Sequence, residues 1–237
     1  KLLSNPNDNL GIEYIIAAKK SGYDFEFECI KRFGANHDEK TEHEFKSGSQ
    51  IRDLIISGDI NSAKAAMPES SHFLLSTPFA DERLLERAIL AVLRENDADY
   101  FSALPDISEG LDRLFFSAVK KSGTVSELTG NLKSKRYTLA RIRRLILSAF
   151  LGLDNEFFLK EPPYLRILGF NKKTVKKPFE EKPDCPVLSK AADIEKLNRN
   201  CKKVFGLEAK AADLYALAFK NPHECGLEYK YKIYKGE

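Results

Sequence analysis

Apolar and polar positions change their period as the chain runs from Lys1 to Glu237, and each change predicts an element. Near the start, Ile12, Ile15 and Ile16 recur at helical spacing behind the loop Ser4-Asn5-Pro6-Asn7-Asp8-Asn9, with Asp8 or Asn9 as the cap. Phe25, Phe27 and Cys29 then alternate with Glu26 and Glu28, the period-two pattern of a strand. A second helix is predicted after Ser47-Gly48-Ser49. Ser47 and Gln50 have capping-box spacing, Ile51, Leu54 and Ile55 share a face, and Gly58 stops it. Asp59 caps a further short helix ending at Pro68. Helix, strand and helix in this order predict that residues 1–68 are the last units of a doubly wound α/β sheet.

Residues 69–80, with Ser70, Ser71, Ser76, Thr77 and Pro78, have the composition of a linker. Residues 81–155 are predicted as a helical domain with one basic face. Leu84, Leu85, Ala88, Ile89 and Val92 form one apolar stripe, and Leu111, Leu114, Phe115 and Val119 another. Its last helix, about 138–151, turns Leu139, Ile142, Leu145, Ile146 and Ala149 to the core. Arg141, Arg144 and Ser148 then fall on the opposite side, with Arg143 on a flank. Residues 156–237 are mixed: a strand over 164–170 behind Pro162-Pro163, and a weaker one at Pro186-Val187-Leu188-Ser189. Helices follow over 193–205 and 208–219, the second with Ala212, Tyr215, Leu217 and Phe219 inward. The class is α/β: a doubly wound domain, a helical bundle and a small α/β tail.

Composition narrows the function classes. Hydrophobic residues are 43% and charged residues 31%, as in a globular chain. No apolar run reaches the roughly 18–20 residues that cross a bilayer, and no signal-peptide pattern opens the chain, so a membrane is not an expected partner. Cys29, Cys185, Cys201 and Cys225 show no CxxC pair and no Cys/His ligand spacing. That argues against a zinc module and a disulfide scaffold and fits a reducing cytoplasm. The chain opens at Lys1 and its single methionine is Met67, which suggests the back part of a longer protein.

The net charge of +3 hides an uneven distribution. Residues 133–177 hold twelve basic side chains against Asp154, Glu156 and Glu161, a net +9, so the remaining residues carry −6. Such asymmetry points to a polyanion, most often nucleic acid, although a solvated face balanced by acidic neighbours is the plainer alternative.

Three segments could hold a nucleotide. The amide-rich loop before Leu10-Gly11 sets side-chain amides beside helix N–H groups, which suits a phosphate or a base; it is also an ordinary turn sequence. Arg32 follows the predicted strand, at the end where ligands collect in open α/β sheets. Ser47-Gly48-Ser49-Gln50-Ile51-Arg52 puts two hydroxyls, a glycine and an arginine at a helix N-terminus, a polyphosphate-binding combination. A plain helix cap accounts for the serines but not for the arginine. His37, His43, His72 and His223 have no metal-ligand spacing, and no nucleophile–base pair stands out, so any chemistry would rest on positioning and charge.

These segments together resemble the bacterial tRNA(Met) cytidine acetate ligase family. The likeness is carried by residues 5–14, by Lys31-Arg32-Phe33-Gly34-Ala35 with His37-Asp38, and by residues 47–52. It continues through residues 134–144, Pro162-Pro163-Tyr164-Leu165-Arg166-Ile167-Leu168-Gly169-Phe170 and Ala212-Asp213-Leu214-Tyr215, in the same order. The resemblance implies a nucleotidyltransferase-like (Rossmann-type) domain followed by a helical region. It further implies activation of acetate by ATP, with Mg²⁺, as acetyl-adenylate. Transfer would be to N4 of the wobble cytidine of elongator tRNA(Met). Carried over by position, Asn7, Arg32, Phe33, Ser47, Ser49 and Arg52 would contact ATP. Lys135, Arg136, Arg141 and Arg144 are candidates for the tRNA backbone on charge and helix face alone. The family's first strand and His-containing phosphate loop do not occur in these 237 residues. The loop after Arg32 is a residue shorter than the family's Gly-Ala-Gly-Tyr-His-Asp form. On this reading the polypeptide alone would be inactive. Two other readings remain open: an adenylyltransferase acting on a small molecule, which leaves the basic segment without a task, and a non-catalytic RNA-binding module.

Overall fold

The computed structural model describes residues 6–30, 46–108, 110–155, 162–171, 173 and 184–236. The chain forms two compact units, residues 1–76 and 77–237.

In the first unit, helix α1 spans Pro6–Lys20. It begins earlier than Asp8 or Asn9, the expected caps, because the fixed φ of Pro6 suits a first helical turn and its missing N–H costs nothing there. Gly22, at φ +72°, closes the helix, with the Tyr23 N–H donating to the Ala18 carbonyl at 3.1 Å. Residues 23–30 then run without regular structure, and Phe25 and Phe27 are exposed. The strand predicted at Phe25–Cys29 does not form among the described residues. Alternation chooses which face a strand would turn inward, but a strand exists only through its ladder to a neighbour, and none of the described residues pairs with 23–30.

Helix α2, Gly48–Ser57, carries the predicted capping box: Ser47 Oγ accepts from the Gln50 N–H at 3.3 Å, and the Ser47 N–H donates to Gln50 Oε1 at 2.8 Å. Gly58 ends it at φ +86°, and the Asp59 carboxylate caps α3, Ile60–Ala65. Residues Glu69–Ser76 wind into 3-10 turns. His72 ties them to the preceding helix: its Nε2 lies 2.9 Å from the Lys64 carbonyl and 3.2 Å from that of Met67, so Nε2 carries the proton.

The second unit opens with α4 (Glu86–Glu95), α5 (Ala98–Ser102), α6 (Leu111–Lys121), α7 (Val125–Leu132) and α8 (Leu139–Leu151). Leu93, Phe101, Phe115, Val119, Leu128 and Ile142 are fully buried at the centre of their shared core. Leu84 and Leu114, assigned to the apolar stripes, lie instead at the exposed edge. Asp97, Thr124 and Thr138 cap α5, α7 and α8. Glu86 reaches across to accept from the Val125 N–H at 3.0 Å, so two acceptors serve the first turn of α7. At the other end of α8, Tyr100 donates to the Ala149 carbonyl and Lys210 Nζ to that of Leu151 at 2.8 Å, where the helix dipole favours a cation.

The tail is built from short parallel pairs. Strand β1 (Leu165–Arg166) pairs with β3 (Val187–Leu188), and β2 (Gly169–Asn171) pairs with β4 (Tyr234–Gly236), a strand the sequence pattern did not suggest. Helix α9 runs unbroken over Arg199–Tyr215. The boundary predicted near 205–208 falls instead at Asn198, whose side chain accepts from the Cys201 N–H at 3.0 Å, while 3-10 turns occupy Ala191–Lys196. Gly206 is carried inside α9, since packing outweighs its cost of about 1 kcal/mol. Tyr215, predicted inward, is exposed at the end of α9; beyond it the helix tightens into a 3-10 turn, where Ala216 and Ala218 are buried and Leu217, also predicted inward, is exposed. Tyr164, Leu188, Ile194, Cys201 and Phe205 make a second small core, and the Cys201 thiol donates to the Pro163 carbonyl. Leu214 packs on the larger core, so α9 serves both. Short helix α10 is Leu227–Lys230. Among the described residues, no helix is long and apolar enough to cross a membrane.

Candidate nucleotide and RNA-binding surfaces

On the first unit, the candidate phosphate site is the N-terminus of α2. Ser47 is buried and its oxygen is engaged as the cap, which leaves the hydroxyl hydrogen and the Gly48 and Ser49 N–H groups at the helix start. Arg52 folds back over that turn: a Cβ built on Gly48 would lie 3.7 Å from Arg52 Nη1. Ser47, Gly48 and Arg52 are thus brought together as the sequence spacing implied. The surface is positive, from a guanidinium and the helix dipole, and can hold an anion. Nearby, hydrogen bonds from Ser62 hold the Asp59 carboxyl below the usual range, with the Lys46 charge adding to the effect. Asn7 sits exposed in the first turn of α1, on a separate element. Arg32 and Phe33 lie outside the described residues, as do His37 and His43.

On the second unit, the basic helix α8 divides its arginines differently from the sequence expectation. Arg141 is half-buried and internally bonded: its Nη2 donates to the Asp106 carbonyl at 2.7 Å and to Ser108 Oγ at 2.8 Å. Its Nε donates to the same carbonyl at 3.2 Å, and its guanidinium lies 5.3 Å from the centre of the Tyr137 ring. Asp106 holds φ +61°, a left-handed conformation unusual outside glycine, and Arg141 pins it. Arg144 is exposed and touches Asp106 Oδ2 at 3.6 Å. The stripe facing solvent is Ala140, Arg143, Arg144 and Leu147, at i, i+3, i+4 and i+7, so Arg143 is central rather than on a flank. Lys135 and Arg136 are exposed just ahead of the helix. The signal for Arg143 is present in the sequence, in the spacing of the solvent stripe rather than of the core stripe.

Arg166, although part of the basic segment, is not a surface cation. It bonds the Glu228 carboxylate, lies 3.8 Å from Glu208 Oε2, and faces the Tyr231 ring at 4.9 Å. Tyr164 donates to Glu208 Oε2 at 2.6 Å; burial, then that acidic neighbour, raises its pKa above the ordinary 10.0. This is a structural lock joining β1, α9 and α10. His223 stacks on Phe219 at 4.0 Å, a packing contact within the tail.

Comparison with known proteins gives the surfaces a context. A family model described as HIGH Nucleotidyl Transferase matches residues 1–229. The tRNA(Met) cytidine acetate ligase of Fervidobacterium nodosum is 30% identical over 98% of this chain and 62% of its own length. That of Thermoanaerobacter sp. strain X514 is 32% identical over 99% of this chain and 61% of its own. Crystal structures of Thermotoga maritima TmcAL superpose with TM-scores of 0.84 for the apo form and 0.81 for the form bound with alpha-thio ATP. Both are 26% identical and cover 99% of this chain, which spans 61% and 60% of theirs. The chain therefore spans about three-fifths of the length of these relatives.

Proposed function

Because the chain belongs to the HIGH nucleotidyl transferase family, we propose that it works in ATP-dependent acetylation of tRNA. The substrate would be elongator tRNA(Met) and the acetyl donor acetate, in line with the names of the relatives. An acetate oxygen attacks the α-phosphorus of ATP, pyrophosphate leaves, and acetyl-adenylate forms. The N4 amine of the wobble cytidine then attacks the acetyl carbonyl carbon, AMP leaves, and N4 loses a proton. The reaction is proposed for the cytoplasm, where unpaired thiols such as Cys29 and Cys225 persist.

The observation that carries this reading is the α2 N-terminus with Arg52 folded over it. Its N–H groups are oriented by the helix before an anion arrives, and the guanidinium lies beside them to add charge, a combination suited to phosphates. Ser49 and Asn7 would add polar contacts, and Arg32 and Phe33 are proposed as further ATP contacts on the family likeness. Mg²⁺ is proposed as the counter-ion of the ATP phosphates, a role that suits a hard cation with oxygen ligands. Lys135, Arg136, Arg144 and Arg143 would meet the tRNA backbone, with Arg141 shaping the loop beside them.

The test is transfer of labelled acetate to purified elongator tRNA(Met) by the full-length gene product, with and without ATP. ATP-dependent label on the wobble cytidine is the expected result. Tight, salt-sensitive tRNA binding without label would replace this reading by a non-catalytic RNA-binding module.

A further inference from the structure

The last described residues alternate aromatic and basic side chains: Tyr229-Lys230-Tyr231-Lys232-Ile233-Tyr234-Lys235. Ile233 is half-buried, whereas Tyr229 is 58% and Tyr234 74% exposed. Both rings are nevertheless seated. Tyr229 meets Phe205 edge to face with centroids 5.2 Å apart. Tyr234 is fixed by the β2–β4 ladder, with its N–H donating to the Leu168 carbonyl at 3.0 Å. It lies so close to β2 that a Cβ at Gly169 would stand 3.1 Å from its carbonyl oxygen and 3.2 Å from its Cβ. A side chain at 169 would therefore press on the Tyr234 backbone, which would have to give slightly.

The nearby carboxylates are occupied. Glu228 and Glu208 face Arg166, Asp213 accepts from the Gly226 N–H at 2.6 Å, and Glu224 lies 3.4 Å from Lys230 Nζ. Lys232 and Lys235 are exposed and form no ion pair among the described residues. Tyr231 is already used, its ring facing Arg166 and its hydroxyl bonding the Leu168 carbonyl at 2.5 Å. Two large ring surfaces and two uncommitted ammonium groups thus lie along one short segment. Rings bind unpaired bases by stacking, and ammonium groups bind the phosphates between them. A duplex offers no open base face to such rings.

We propose that Tyr229 and Tyr234 are stacking platforms for unpaired RNA nucleotides, with Lys232 and Lys235 on the intervening phosphates. The proposal deepens the tRNA-modifying reading, on which the identity of the natural RNA rests, but its test needs neither ATP, acetate nor tRNA. Binding of a labelled 12-nucleotide oligouridylate by the full-length protein is measured by anisotropy, beside a duplex RNA of equal length. The single strand should bind more tightly. Tyr234→Ala should weaken that binding by about tenfold while Tyr234→Phe retains it, since the ring does the stacking. Lys232→Gln with Lys235→Gln should lower the slope of log affinity against log salt by about 0.7 for each phosphate no longer neutralised. Equal affinity of wild type and Tyr234→Ala overturns the proposal, as does a preference for duplex or an unchanged salt slope. If Tyr234→Ala also lowers the melting temperature, the lysine pair decides. Failed acetate transfer with intact ring dependence overturns the ligase reading only; the converse overturns this proposal only.

Discussion

Arg141 and Arg144 are three residues apart on one helix, yet their surroundings assign them different tasks. Arg141 spends its donors on Asp106 and Ser108, so Arg141→Ala should release the 106–108 loop. The cost is about 1–2 kcal/mol, visible as a fall of several degrees in Tm. Arg143→Ala with Arg144→Ala should leave Tm unchanged and weaken tRNA binding, because both side chains face solvent. The sequence could show that all three arginines avoid the core face. It could not show that a left-handed Asp106, thirty-odd residues upstream, would present a carbonyl to Arg141, because tertiary contacts leave no local pattern. Tyr164 supplies a pH signature at the same scale. Its folded pKa lies above the unfolded 10.0, so its contribution is full below about pH 10 and falls as pH rises, the unfolded phenol ionising first. Melting curves from pH 8 to 11 should show that decline, shallower in Tyr164→Phe, which also loses about 1–2 kcal/mol at neutral pH with the Glu208 bond.

Among elements, the short helices were the most legible. Capping box, stop and following cap around α2 and α3 stood in the sequence because each is a contact within four residues. The strand at Phe25–Cys29 and the partition of α9 failed because ladders and helix phase depend on distant partners. The two helix-ending glycines allow a controlled comparison. Gly58 and Gly152 share a left-handed backbone, at φ +86° and +75°. A Cβ at 58 meets open space, whereas one at 152 would lie 3.3 Å from Lys210 Nζ. Gly58→Ala should cost the backbone strain of about 1 kcal/mol, and Gly152→Ala slightly more, since Lys210 Nζ must also shift a little against its bond to the Leu151 carbonyl. Chemical denaturation of the two variants checks the order.

For the whole molecule, the mixed helix-and-sheet class was readable from periodicity, as was the run of helices over 86–151 ahead of a tail with strands, whereas the described residues of the first unit hold helices without the expected strand. The basic segment was readable as charge but not as geometry, since Arg166 turned inward to Glu228 and Tyr231. What remains outside should behave as a polyelectrolyte surface: tRNA affinity falls linearly with salt on a log–log plot, and Arg143→Ala with Arg144→Ala reduces the slope by about 0.7–0.9 for each phosphate those arginines neutralise. Titration from about 50 to 200 mM salt tests this, and an unchanged slope would remove α8 from the interface.

The four thiols divide by accessibility, and that division makes a clock. Cys29 and Cys225 are exposed and Cys185 is half-buried with its thiol on the Pro162 carbonyl, while Cys201 is sealed inside the smaller core with its thiol on the Pro163 carbonyl. An aromatic disulfide reagent should consume the outer thiols at once and reach Cys201 only when α9 lifts from β3 and the Pro162-Pro163 turn. The slow phase then counts openings of the tail in real time, and its rate, compared with amide exchange in α8, reveals whether the two cores breathe together through Leu214 or separately.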